Sequence, residues 1–276
     1  MYKKIGATTQ ICGVGVSSSS QDSLLESLEQ ILVSRRELEL VLVTTPNPEQ
    51  VVQAAADDMF CDILNQSSVA LPDGVGLVWA AKLLSGVRLA RIPGVEMAGK
   101  LIKLAWENDL GVAIVGGVDG VARKALENQK LKITNSSYAE ASAGRQNNNL
   151  NCKGLAISGV ADIAHETREE RKKALDEIKA FRPELLLVAY GAPRQEKWIW
   201  ENREVLEKAG VKVAMVVGGA VDVWAGKVKR APVVVRKAGL EWLWRLLRQP
   251  WRLRRQLRLI KFVWMVTRQT SARKES

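Results

Sequence analysis

Short, nearly continuous apolar runs recur along this chain, and stretches with helical spacing separate most of them. The runs are 10–16 (QICGVGV), 38–44 (LELVLVT), 68–72 (SVALP), 111–116 (GVAIVG), 154–158 (GLAIS), 184–190 (ELLLVAY) and 211–217 (VKVAMVV). Stretches 21–36, 48–64, 75–85, 95–108, 118–129, 166–181 and 194–209 space their apolar residues as helices do. A strand without polar alternation must be covered on both faces, and parallel neighbours need a crossover of helix length. The pattern therefore predicts an α/β fold whose mostly parallel sheet carries helices on both faces. Such sheets take ligands outside the carboxyl ends of their strands, so the loops after the strands hold the candidate chemistry. Residues 135–151 (NSSYAEASAGRQNNNLN) have the composition of a loop.

Charge divides the chain unevenly. Residues 227–276 contain 15 of the 41 basic residues and 2 of the 30 acidic ones, which leaves 26 basic and 28 acidic in the first 226. The basic character belongs to the tail, where 239–268 (GLEWLWRLLRQPWRLRRQLRLIKFVWMVTR) interleaves arginine with tryptophan. A localised basic segment suits phosphate-bearing partners: nucleic acid, anionic lipid headgroups or a polyphosphate substrate. No apolar run approaches the ~18 residues of a transmembrane helix, and the N-terminus lacks the apolar core of a signal peptide. Cys12, Cys61 and Cys152 are far apart and odd in number, which predicts neither a disulfide framework nor a CxxC metal site and fits a reducing cytosol.

Several strand ends carry polar groups. In TTPNPEQ (44–50), Asn47 suits a helix N-cap and Pro48 a first turn, which leaves Thr45 without a structural duty. In LPDG (71–74), Asp73 is either a turn residue or a carboxylate held at the ligand end of the sheet, able to act as a general base. In VGGVDGVA (115–122), Gly116 and Gly117 serve turn geometry or free helix N–H groups for a phosphate. In YGAPRQEKWIWEN (190–202), Gln195 is an unusual choice at a ligand-facing position. In VGGAVDVWAGKVKRAP (217–232), Gly219 and Asp222 add a second glycine turn and a carboxylate, with Arg230 further on. Gly116, Gly117, Gly219 and Asp222 are the candidate nucleotide-binding residues. No DxD motif is present, Asp57 and Asp58 are adjacent within a helical stretch, and the single His165 precedes a charged helix, so neither a metal site nor a Ser-His couple is expected. A nicotinamide fold would want GxGxxG after the first strand, where this chain reads CGVGVSSSS.

In order, the chain holds T-x-N at Thr45 to Asn47, L-P-D-G at Leu71 to Gly74, R-I-x-G at Arg91 to Gly94 and G-G-x-x-G-V-A at Gly116 to Ala122. It continues with G-x-P-x-Q-E at Gly191 to Glu196, V-G-G-x-x-D-x-x-A-G-x-x-x-R-A-P at Val217 to Pro232 and E-W-L-x-R-L-x-x-x-P-x-R at Glu241 to Arg252. Together these resemble the WecG/TagA/CpsF glycosyltransferases over roughly residues 10–265. The resemblance implies a Rossmann-like domain, here 1–232, and a basic amphipathic helical appendage, here 233–276, that associates with membranes. It implies inverting, metal-independent transfer of N-acetylmannosamine or a related sugar from UDP to N-acetylglucosamine on a polyprenyl diphosphate. In one branch this serves wall teichoic acid synthesis. No cofactor is implied. Asp73 resembles the family's proposed catalytic base. Thr45, Asn47, Arg91 and Gln195 resemble its active-site polar set, and Arg245, Arg252 and Arg255 resemble arginines of the appendage. The implied partners are the UDP-sugar donor, the lipid-linked acceptor, an anionic membrane surface at the cytoplasmic face and further copies of the chain, with no nucleic acid. The chain departs from the family where Gly94-Val95-Glu96 replaces a frequent Gly-x-Asp, and its 135–151 loop is longer.

The tail suits such a role. Pro250 should divide it into helices near 234–248 and 250–268. In the second, Leu253, Leu257, Ile260 and Trp264 recur at helical spacing beside Arg254, Arg258, Lys261 and Arg268, as in an interfacial helix. The competing reading of the same charge is a nucleic-acid-binding α/β protein, which leaves the polar strand ends without a purpose.

Overall fold

The computed structural model describes residues 3–35, 39–117, 120–142, 153–157, 168–248 and 253–275. It opens with a hairpin, β1 (Thr8–Ile11) and β2 (Val14–Ser17), paired antiparallel with Ile11 opposite Val14. The run 10–16 is thus not one strand of the main sheet. Cys12 and Gly13 adopt φ values of 48° and 86°, and this left-handed pair reverses the chain. After α1 (Gln21–Val33) come β3 (Val41–Thr44), α2 (Pro48–Ala54), α3 (Asp58–Gln66), β4 (Val69–Ala70), α4 (Val75–Ser85) and α5 (Gly94–Glu107). Next are β5 (Val112–Gly116), α6 (Val121–Ser142), β6 (Gly154–Ile157), α7 (Arg168–Phe181), β7 (Leu185–Ala189), α8 (Arg194–Glu201) and α9 (Arg203–Lys208). The chain ends with β8 (Val213–Val216), α10 (Ala220–Trp224), α11 (Val233–Lys237), α12 (Glu241–Arg248) and α13 (Leu253–Glu275).

Among the described residues six strands form one sheet in the order β4-β3-β8-β7-β5-β6, and every pairing in it is parallel. The strand residues alternate between two cores. Val43, Ile114, Leu187 and Met215 face a cluster shared with α1, α5, α6 and α10. Leu42, Val115, Val188 and Ala214 face Ile178 of α7, Trp198 of α8 and Leu206 of α9. This is the two-sided covering that the continuous apolar runs require. The expected α/β, Rossmann-like architecture is the one observed.

Three local expectations change. The stretch 48–64 is two helices, because Asp57 accepts the Phe60 N–H at 3.0 Å and so caps α3, with Asp58 as its first residue. The stretch 194–209 is likewise divided at Asn202. Residues 135–142 belong to α6 rather than to a loop. Residues 143–152, His165, Pro250 and Arg252 lie outside the described residues.

A third core joins the hairpin to α2, α3, α4 and α13. Phe262 and Val266 of α13 are buried there against Val51, Leu77 and Ala81. The opposite side of α13 exposes Leu257, Ile260 and Trp264. The basic tail therefore begins with two short helices and ends in a long one laid on the body by one of its faces. Gly239 turns the chain between α11 and α12 at φ +74°, and a Cβ there would stand 2.6 Å from Val75 Cγ1. Only glycine lets the tail come this close to the start of α4.

Candidate active site

The first wall grows from β3 and β4. The loop after β3 enters α2 through a reciprocal cap. Asn47 Oδ1 accepts the Gln50 N–H, and Gln50 Oε1 accepts the Asn47 N–H, each at 3.1 Å. The loop after β4 lies beside it because Asp73 N–H donates to the Pro46 carbonyl at 3.0 Å. Asp73 Oδ2 then accepts the Gly94 N–H at the start of α5, at 3.3 Å. Gly94 has no room for a side chain, since a Cβ would sit 2.7 Å from Thr45 Cγ2 and 3.7 Å from Asp73 Oδ2. Thr45, Asp73 and the first turn of α5 are therefore packed as one unit.

The second wall grows from β7 and β8. Gln195, 3% exposed, accepts the Gly191 and Gly218 N–H groups on its Oε1, both at 3.1 Å. Its Nε2 donates to Glu196 Oε1 at 3.1 Å, and Gln50 Nε2 donates to the same oxygen at 3.4 Å. Glu196 is completely buried, and burial pushes its carboxyl up from an ordinary 4.5 to about 7, opposed by the Gln195 bond. Lys197, next in sequence, reaches Asp57 at 2.7 Å, and this bond holds the Asp57 carboxyl below its ordinary value.

The third wall is the tail. Arg91 donates from Nη1 to the Arg236 carbonyl and from Nη2 to Glu241 Oε2, both at 2.9 Å. Arg230 pairs with Glu96 at 2.7 Å and stands 3.8 Å from Glu241 Oε1, while Arg236 also pairs with Glu96 at 3.1 Å. Glu96, where this chain departs from the usual Gly-x-Asp, is thus a partner of two arginines. Trp242 of α12 and Arg258, Leu259, Phe262 and Val263 of α13 complete the enclosure.

The three walls bound a cleft of about 650 Å³ at the carboxyl ends of β3, β4, β7 and β8. Of the residues singled out in sequence, Thr45, Asn47, Asp73, Arg91, Gln195 and Gly219 line it. Gly116, Gly117 and Asp222 are not among the described lining residues. Gly116 ends β5 beside Ala189, and Asp222 lies in α10, whose N-cap is Gly219. Arg245 and Arg255 fall in α12 and α13 with side chains outside the described set. Sequence reasoning passed over Gln50, Glu196 and Glu241. Glu196 stood inside the G-x-P-x-Q-E motif and Glu241 opened the last motif, which were the available signals. Among the described residues no group of three or more His, Cys, Asp or Glu is placed to hold a metal, and no helix is long and apolar enough to cross a membrane.

The sequence model of the glycosyl transferase WecG/TagA/CpsF family matches residues 9–276. The chain belongs to that family. Two relatives from Staphylococcus aureus, strains MRSA252 and NCTC 8325 / PS 47, are each 30% identical to it over 241 residues, which is 87% of this chain and 85% of theirs. Both bear the name N-acetylglucosaminyldiphosphoundecaprenol N-acetyl-beta-D-mannosaminyltransferase. Family membership makes the chain a glycosyltransferase.

Proposed function

We propose that this chain moves N-acetylmannosamine from UDP to the N-acetylglucosamine of a polyprenyl diphosphate, inverting the anomeric centre without a metal, as a peripheral enzyme at the cytoplasmic face of the membrane. The observation that carries the reading is the convergence of Asp73, Thr45, Asn47, Arg91 and Gln195 on one cleft whose outer wall is the amphipathic tail. The names of the Staphylococcus relatives supply the donor sugar and the acceptor. In this reading Asp73 takes the proton from the attacking hydroxyl, with its Oδ2 oriented by the Gly94 N–H at 3.3 Å. Positive charge for a departing diphosphate comes from Arg91 and Arg258, and Gly219 offers main-chain approach at the end of β8. Arg91 is engaged with Glu241, so a diphosphate reaching Arg91 exchanges one anion for another.

The exposed Leu257, Ile260 and Trp264 of α13, with Arg268 stacked over the Trp264 ring at 5.3 Å, support a helix lying in the headgroup layer. Trp79 and Trp242 reach the same rim of the cleft, half exposed. The acceptor would then keep its prenyl chain in the lipid and present its sugar diphosphate to the cleft.

The test is release of UDP from UDP-N-acetylmannosamine with and without a polyprenyl-diphosphate N-acetylglucosamine analogue, with the product weighed by mass spectrometry. The expected product is the acceptor plus one N-acetylhexosamine. Asp73→Asn should lower turnover by about 10²–10⁴-fold and leave the melting temperature alone. Near-normal turnover in that variant removes Asp73 from the proton transfer, and a hydrolysed donor with unchanged acceptor removes the transfer reading.

A further inference from the structure

Glu196 does not line the cleft, yet the loops that build two of its walls meet on this one carboxyl. Its Oε1 takes the amide hydrogens of both Gln195 and Gln50. Each glutamine has one oxygen and one NH2, so a side chain that turns its NH2 to Glu196 must turn its oxygen the other way. For Gln195 the other way is the pair of N–H groups at Gly191 and Gly218, in the loops after β7 and β8. For Gln50 it is the Asn47 N–H, in the loop after β3. An apolar residue at 196 would remove the acceptor that sets this polarity, and a flipped Gln195 would then point its NH2 at two other donors.

Packing alone gives no reason for a carboxyl here. Oε2 of Glu196 is buried without a hydrogen-bond partner among the described residues, so the side chain's polar worth lies in Oε1 and the two amides it receives. We propose that Glu196 is a positioning residue: it fixes the orientation of the Gln195 and Gln50 amides and, through them, the loops after β3, β7 and β8 that frame the cleft. Its bearing on turnover rests on the glycosyl transfer proposed above.

The test compares Glu196→Gln and Glu196→Leu in the full chain. Glutamine keeps an acceptor oxygen and places an NH2 where Oε2 stood, so it should turn over within about threefold of the wild type. Leucine leaves the buried NH2 groups of Gln195 and Gln50 without their acceptor, so it should fold with a lowered melting temperature and, assayed well below its transition, lose about 100-fold in kcat, as misplacement of a site by about an ångström does. Amide exchange at Gly191 and Gly218 should rise about tenfold or more in the leucine variant and stay at the wild-type rate in the glutamine variant, since the Gln195 bonds protect both. Glu196→Met makes the same comparison if leucine does not fold. Wild-type exchange at Gly191 and Gly218 in the apolar variant overturns the proposal, and so does wild-type kcat. If the wild-type chain transfers no sugar to the acceptor, the activity reading fails separately, and the two exchange rates alone decide whether Glu196 positions the loops.

Discussion

The cleft walls raised by β3, β7 and β8 are tied by buried, mostly neutral groups, whereas the wall raised by the tail is tied by half-buried ion pairs. On the first side Gln50, Gln195 and Glu196 are 5%, 3% and 0% exposed. On the second the side chains of Arg91, Glu241, Arg230 and Glu96 run from 12% to 40% exposed. Buried hydrogen bonds give fixed geometry and are indifferent to salt, but they are costly where a polar atom goes unpaired. Half-exposed charges hold more loosely and are screened. The difference teaches where motion belongs: the polar floor is fixed by buried hydrogen bonds, and the outer wall hangs on contacts that ions can replace.

The largest expected effect strikes the buried side. Glu196 is held at about 7 in the folded chain against an ordinary 4.5, so the folded state carries the extra proton between those values. Unfolding free energy should therefore be highest below about 4.5 and fall as pH rises through about 7, by about 3 kcal/mol in all. Urea unfolding of wild type and Glu196→Gln from pH 5 to pH 8 checks it, and equal slopes in the two would mean the carboxyl is not the titrating group. Smaller is the effect on the ion-paired side. Glu241→Gln should loosen the tail by about 1–2 kcal/mol, because Arg91 and Arg230 lose their shared carboxylate. Amide exchange across 233–248 reads it, and 1 M salt should mimic it in the wild type while leaving Gly218 protected. Tail exchange that ignores both the substitution and the salt would erase the contrast. The smallest effect concerns the face of α13 turned from the body. Trp264, 55% exposed, makes no demand on the core, so Trp264→Ser should leave melting unchanged and weaken binding to anionic vesicles about fivefold, roughly 1 kcal/mol. A lowered melting point with unaltered vesicle binding would place Trp264 in packing instead.

Much of this was legible in the sequence because it depends on local pattern. Six of the apolar runs are strands of the sheet, since a strand covered on both faces writes its burial into consecutive residues. The stretch 10–16 misleads for the same reason: apolar content does not reveal that Cys12 and Gly13 take a left-handed turn. The strand-end polar residues were visible, and Thr45, Asn47, Asp73, Arg91 and Gln195 do converge on one cleft. Which strand ends are neighbours was not visible, because the order β4-β3-β8-β7-β5-β6 is set by tertiary packing. That is why Gly116, a strand end as suggestive as Gly219, stands apart from the described lining. Glu196 and Glu241 were hidden for a different reason. A glutamate in the first turn of a helix reads as solvated, and nothing nearby in sequence announces that Gln50 or Arg91 will come to meet it.

The packing of α13 on α2 has a consequence for how the protein comes into being. Phe262 and Val266 share a core with Val51 and Leu77, so partners about two hundred positions apart must meet before the enclosure exists. A ribosome delivers the sheet long before it delivers residue 262. The growing polypeptide can thus assemble its strands and display Asp73 while the far side of the chamber is still being translated. The chamber can close only after α13 has been made and released to pack on α2.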